Sequence, residues 1–273
     1  MGVDNATVAL SAPDRRESLS WSADRVRAAA LATVRHAGEL MKRVSICVPV
    51  VSAVSRHVTH TEIRRLHDAL EPTPIADRYW IIGGLLLGWA RQGDVLAHDA
   101  ADVDFAFRAT DYDRLRASTP ALVASGFHLL HVWRDNDGEL TALTFERSGV
   151  HFDFIKMTAL EDRLRYRCFF FGVQVTGEVP AQPLTAFELF GKRWLKVADH
   201  ERELAAVYGD WRTPRLEWRT DRDSPSVTSR EPHRAPEGDP SDLSEYLVAT
   251  RPADRLENAT SDGRTTAPSP GES

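Results

Sequence analysis

Three aspartates are the residues of this chain best suited to chemistry. Asp102-Val103-Asp104 lies in a segment, Asp102–Phe107, where polar and apolar residues alternate. On a strand, alternate side chains share a face, so these two carboxylates lie side by side. Like charges that close repel unless a cation sits between them, although a solvent-facing strand tolerates such a pair. Phe152-Asp153-Phe154 adds a third acid inside a second apolar strand, where an aspartate is either buried or functional. Three carboxylates on adjacent strands form an oxygen-only site for a hard cation, Mg²⁺ or Mn²⁺. Such a metal bridges phosphate oxygens and stabilises the charge that develops in phosphoryl transfer.

Gly83-Gly84 stands between a predicted strand and a predicted helix. Backbone amides at a helix start can take an anion, and glycine lets a phosphate approach closely. A tight strand-to-helix turn would use the same residues. The segment is not a Walker loop, since Trp89-Ala90 stands where Lys-Ser/Thr belongs. Lys192, Arg193 and Lys196 cluster beside Trp194. They could reach an anionic donor or acceptor, or form a solvated helix face. Tyr208 reads as a core tyrosine, and Trp211 and Pro214 as packing. His128 and His131 lie at odd separation on a strand and so should point to opposite faces, which argues against a paired metal site.

The elements that must hold these residues are legible from period and punctuation. Helices are predicted over Trp21–Val44, after a capping box at Thr59-His60-Thr61-Glu62, over Leu85–Arg91, and over Tyr112–Ser125 with Pro120 inside. Strands are predicted at Tyr79–Ile82, Asp102–Phe107, Phe127–Trp133, Leu140–Glu146 and Val150–Met157, with Asp135-Asn136-Asp137-Gly138 as a hairpin turn. Arg165–Val175 is β-rich. Helices at Thr185–Trp194 and His200–Val207, the latter stopped by Gly209, close the ordered part. The fold class is α/β (α+β), a mixed or antiparallel sheet with flanking helices. The hairpins exclude a purely parallel doubly wound sheet.

The formal net charge is −6, with 34 Lys/Arg against 40 Asp/Glu, which speaks against a nucleic-acid partner. Residues 219–273 carry eleven acids, seven arginines and seven of the fifteen prolines. That composition predicts a disordered acidic tail. The expected domains are thus a flexible N-terminus over 1–20, one catalytic domain over 21–218, and the tail. Two cysteines, Cys47 and Cys168, give no disulfide framework and point to a reducing, cytoplasmic setting. The longest uncharged run, Val44–Ser55, is short of the ~20 residues a transmembrane segment needs. The N-terminus lacks the basic start and apolar stretch of a signal peptide.

The order of these pieces resembles the nucleotidyltransferase fold, and more narrowly the LicD/fukutin family. Gly83 to Asp94 is similar to that family's glycine-rich segment and its following arginine, Arg91. Asp102-Val103-Asp104 and Phe152-Asp153-Phe154 fall in its acidic positions. Phe190-Gly191-Lys192 and Tyr208-Gly209-Asp210-Trp211-Arg212-Thr213-Pro214 resemble its closing element. The family writes Trp-Asp-x-Asp-x-Asp at the metal segment. Here His98-Asp99-Ala100-Ala101 precedes Asp102, so one Asp arrives a residue early. A bulge could bring Asp99 to the site, and His98 could contact phosphate, move a proton or sit on a surface loop.

The resemblance implies transfer of a phosphorylated alcohol, such as phosphocholine or ribitol phosphate, from a CDP-activated donor to a glycan or small-molecule hydroxyl, releasing CMP. Asp102, Asp104 and Asp153 would hold the metal, and Asp153 could accept the proton of the attacking hydroxyl. Gly83, Gly84 and Arg91 would bind phosphate, Arg91 bidentately unless it is only a surface residue. Two alternatives remain: a nucleotidyltransferase releasing pyrophosphate, and a non-catalytic relic that binds a nucleotide or partner.

Overall fold

A computed structural model of the chain describes residues 49–234 except 171 and 216. The helix expected over Trp21–Val44, the flexible start over 1–20 and the tail beyond 234 lie outside the described residues.

The first described helix, α1 (Pro49–Leu70), puts Ile63, Leu66 and Leu70 into the core. The capping box expected at Thr59–Glu62 is instead helix interior. Thr59 is fully buried and donates to Ser55 O and Ala100 O, while Glu62 pairs with Arg65 and Arg147. Strand β1 (Tyr79–Ile81) leads into helix α2 (Gly83–Gln92), which ends on Gly93 at φ +70°. Strand β2 (Asp102–Arg108) and helix α3 (Tyr112–Ala124) follow, with Pro120 inside α3. A meander then runs through β3 (His128–Arg134), β4 (Leu140–Arg147) and β5 (Val150–Ala159).

The expected mixed sheet with flanking helices is the architecture found. β5 lies parallel to β2 and antiparallel to β4, and β1 and β3 lie outermost beside β2 and β4. The last residues of β5 pair with β6 (Arg163–Phe170), which continues to β7 (Val173–Pro180). The β-rich segment is thus two strands. One face of β2 and β5 is apolar: Val103, Phe105, Phe107, Phe152 and Phe154 are all buried.

Four expectations need correction. Thr185–Trp194 is a hairpin, β8 (Leu184–Leu189) and β9 (Lys192–Val197), rather than a helix. Phe187, Phe190 and Trp194 mimic helical spacing, but Phe190 (φ +51°) and Gly191 (φ +71°) make a two-residue turn. Trp194 then stacks on Phe105 with centroids 5.5 Å apart. The helix α4 (His200–Tyr208) forms as expected.

The second correction concerns the tail, which does not begin at 219. A short helix, α5 (Thr220–Asp223), and strand β10 (Val227–Pro232) follow, and β10 adds antiparallel to the edge of β7. Main-chain hydrogen bonds hold this strand, so its polar composition does not prevent it. Third, a bulge between Leu129 and His131 gives His128 and His131 the partners Glu146 and Thr144, which puts both histidines on one face. The fourth is the interior position of the capping box described above.

Candidate functional site

Asp102 and Asp104 leave the polar face of β2, and Asp104 pairs in register with Asp153 of β5. The three offer carboxylate oxygens that all lie within 4.8 Å of one another. Sequence alternation and parallel pairing therefore converge on one point. Asp104 is held well above the usual carboxylate range, first by desolvation, then by the charges of Asp102, Asp153 and Asp99. Asp153 is pushed up to about 7, again by desolvation first and Asp102 second. Every charge that shifts Asp104 is another carboxylate, the pattern of a site built around a cation. An all-oxygen donor set fits a hard divalent ion such as Mg²⁺ or Mn²⁺.

The glycine pair does something the sequence did not suggest. A Cβ on Gly83 would lie 2.2 Å from Asp104 Oδ2, and one on Gly84 would lie 1.7 Å from Asp99 Oδ2. The glycines thus make room for carboxylates. The Gly84 amide donates to the Asp104 carboxylate, so it is not a bare phosphate site. Gly83 also sits at φ +57°, which a side chain would strain.

Asp99 stands beside the cluster rather than in it, on a folded loop and not a bulge. Asp99 N bonds Leu96 O and Asp102 N bonds Asp99 O, each at 3.1 Å. Ala100 is buried, and Thr59 of α1 holds its carbonyl. His98 lines the same cavity as the acids.

That cavity has a volume of about 960 Å³, room for a nucleotide-sized ligand. Arg91 is in its wall, but Nε donates to Trp211 O at 2.6 Å and Nη2 to Thr213 O at 3.2 Å. Arg91 therefore straps the segment after α4 onto α2. Trp211 packs as expected and is 6% exposed. Tyr208 is more than a core residue: it is half-buried, lines the cavity and packs its ring at a tilt against Trp218, centroids 4.5 Å apart. Its hydroxyl is held well above its ordinary value, by burial first and then by Asp99 and Asp104.

Lys192 is not brought to the site. It lies on β9, its Nζ donates to Asp68, and it is not in the cavity wall. Lys196 is buried over the Trp89 ring, 5.1 Å from its centroid. The basic cluster is therefore on a strand, with its charges engaged elsewhere. Cys168 is in the wall, but burial and then Asp104 and Asp153 push its thiol up, so it stays protonated.

Two further residues position Asp153. Trp133 Nε1 donates to Thr144 Oγ1 at 2.8 Å, and Thr144 Oγ1 donates to Asp153 Oδ1. The β4–β5 register, Thr144 opposite Asp153, creates this chain. It was hidden in the sequence because it depends on pairing between strands.

Residues 76–184 match the model of the LicD/FKTN/FKRP nucleotidyltransferase domain. The match takes in the glycine pair and all four aspartates and ends before α4. No curated protein matches the chain.

Proposed function

We propose, from the match of residues 76–184 to the LicD/FKTN/FKRP nucleotidyltransferase domain, a transferase-like family, that this chain is a metal-dependent phosphotransferase. The reaction moves a phosphorylated alcohol, phosphocholine or a polyol phosphate, from a CDP-activated donor to a glycan or small-molecule hydroxyl, and CMP leaves. The observation that carries this reading is the convergence of Asp102, Asp104 and Asp153 on one wall of a cavity of about 960 Å³.

Asp102, Asp104 and Asp153 would hold the cation, with Asp99 beside them. A bound divalent ion would supply positive charge that stabilises the charge developing on the donor's phosphate. Gly83 and Gly84 shape the room in which the acids sit. Arg91 keeps the segment from Trp211 to Thr213 against α2 and presents positive charge to the cavity. Asp153, oriented by Thr144, accepts the proton of the attacking hydroxyl at the oxygen Thr144 does not hold. Among the described residues no helix is long and apolar enough to cross a membrane.

The test is a screen of CDP-linked alcohols with the full chain and Mg²⁺, scoring CMP. Metal-dependent CMP release supports the reading. Release of pyrophosphate instead supports nucleotidyl transfer, because the two products come from attack at different phosphorus atoms. If no nucleotide binds with metal, neither activity stands and the fold is a binding relic.

A further inference from the structure

The cavity contains a carboxyl that the acid cluster does not explain. Glu203 of α4 lines the cavity and is only 4% exposed. Its Oε2 has no hydrogen-bond partner. Trp218 Nε1, in the same wall, also lacks a partner, whereas the hydroxyls of Tyr166, Ser224 and Ser226 are satisfied. Tyr166 and Ser226 share a hydrogen bond of 2.6 Å, Ser226 and Ser224 one of 2.8 Å, and Ser224 donates to Val207 O at 2.7 Å. Glu203 joins no group of metal-ligating side chains among the described residues. Burial alone pushes its carboxyl up to about 7, with no cation to offset it.

Folded proteins seldom leave a buried carboxyl oxygen unpaired, because its lost hydration is then unrecovered. On the wall of a ligand-sized cavity, the missing partner can come from the ligand. A phosphate would be repelled by a carboxylate, and a metal would need further ligands. The complementary group is therefore a hydrogen-bond donor that carries no negative charge.

We infer that Glu203 is a specificity-determining residue that accepts a hydrogen bond from a hydroxyl or amino group of the substrate, outside its phosphates. This rests on reading the cavity as the donor site. The donor group could belong to the nucleotide, as the cytosine amino group or a ribose hydroxyl, or to the transferred alcohol.

The test uses the full chain with Mg²⁺ and calorimetric titration of three probes: CMP, CDP-ribitol and CDP-choline. Ribitol presents several hydroxyls, whereas the choline headgroup presents no hydrogen-bond donor. Wild type is compared with Glu203→Leu and Glu203→Gln, and thermal midpoints are measured for each. Glu203→Leu should melt no lower than wild type, since it removes an unpaired buried carboxyl. It should also bind at least one probe about tenfold or more weakly, the loss expected when a buried hydrogen bond loses one partner.

Glu203→Gln, which keeps an acceptor, should stay within about threefold. Weakening shared by all three probes assigns the contact to the nucleotide, and weakening of CDP-ribitol alone assigns it to the alcohol. If Glu203→Leu binds every probe within about twofold of wild type, or melts below it, the inference is overturned. If the wild type binds none of the probes, the donor reading itself fails and takes the inference with it.

Discussion

β2 and β5 have two faces, and the two are chemical opposites. One carries Val103, Phe105, Phe107, Phe152 and Phe154, all buried under α1, α3 and the β8–β9 hairpin. The other carries Asp102, Asp104 and Asp153, like charges held together in a cleft. The same period of two writes both. The apolar face stabilises the strands in the register that the acidic face opposes, so the aromatic layer holds the acids where mutual repulsion would part them. A strained site here is the underside of a well-packed core.

The sharpest way to break that contrast is on the acidic face. Asp104→Asn should abolish turnover in the CMP-release assay while the thermal midpoint stays level or rises, because one repelling charge is gone. On the apolar face the effects should reverse. Phe154→Ala should lower unfolding free energy by about 3–5 kcal/mol in urea titrations, with activity lost only as the fold is lost. Between the faces lies Thr144, whose hydroxyl orients Asp153. Thr144→Val should cut metal affinity or activity about 10–100-fold with little change in stability.

The mildest effect should be on pH dependence. Asp104 and Asp153 titrate higher folded than unfolded. The folded state therefore binds more protons between the ordinary carboxylate range and about 7, and stability falls as pH rises through that window. In EDTA, the wild-type thermal midpoint should drop across it more than that of an Asp104→Asn, Asp153→Asn double variant. Added Mg²⁺ at the upper end should recover the difference. An equal drop in both proteins would show that the acids do not oppose one another.

Some of this was legible in the sequence and some could not be. Asp102, Asp104 and Asp153 were readable because strand alternation and strong apolar flanks are local signals. Gly83 and Gly84 were readable as a turn, but their use as room for Asp104 and Asp99 depends on a loop that folds back from residues 94–101. The β8–β9 hairpin was misread because Phe187, Phe190 and Trp194 satisfy a helical period as well as a strand one. β10 was missed because its support is the bare edge of β7, and composition does not report an edge. Glu203 carries no signal in the sequence; only the packing of α4 at the cavity buries it and leaves its Oε2 without a partner.

The pairing of β10 with β7 has a consequence for synthesis. Val227–Pro232 is the last described strand to leave the ribosome, and Trp218, Ser224 and Ser226 arrive just before it. Every member of the acid cluster precedes residue 154. A nascent chain can therefore assemble its charged centre more than seventy residues before the last strand of its scaffold exists, and that interval is when a divalent ion would be most useful to it.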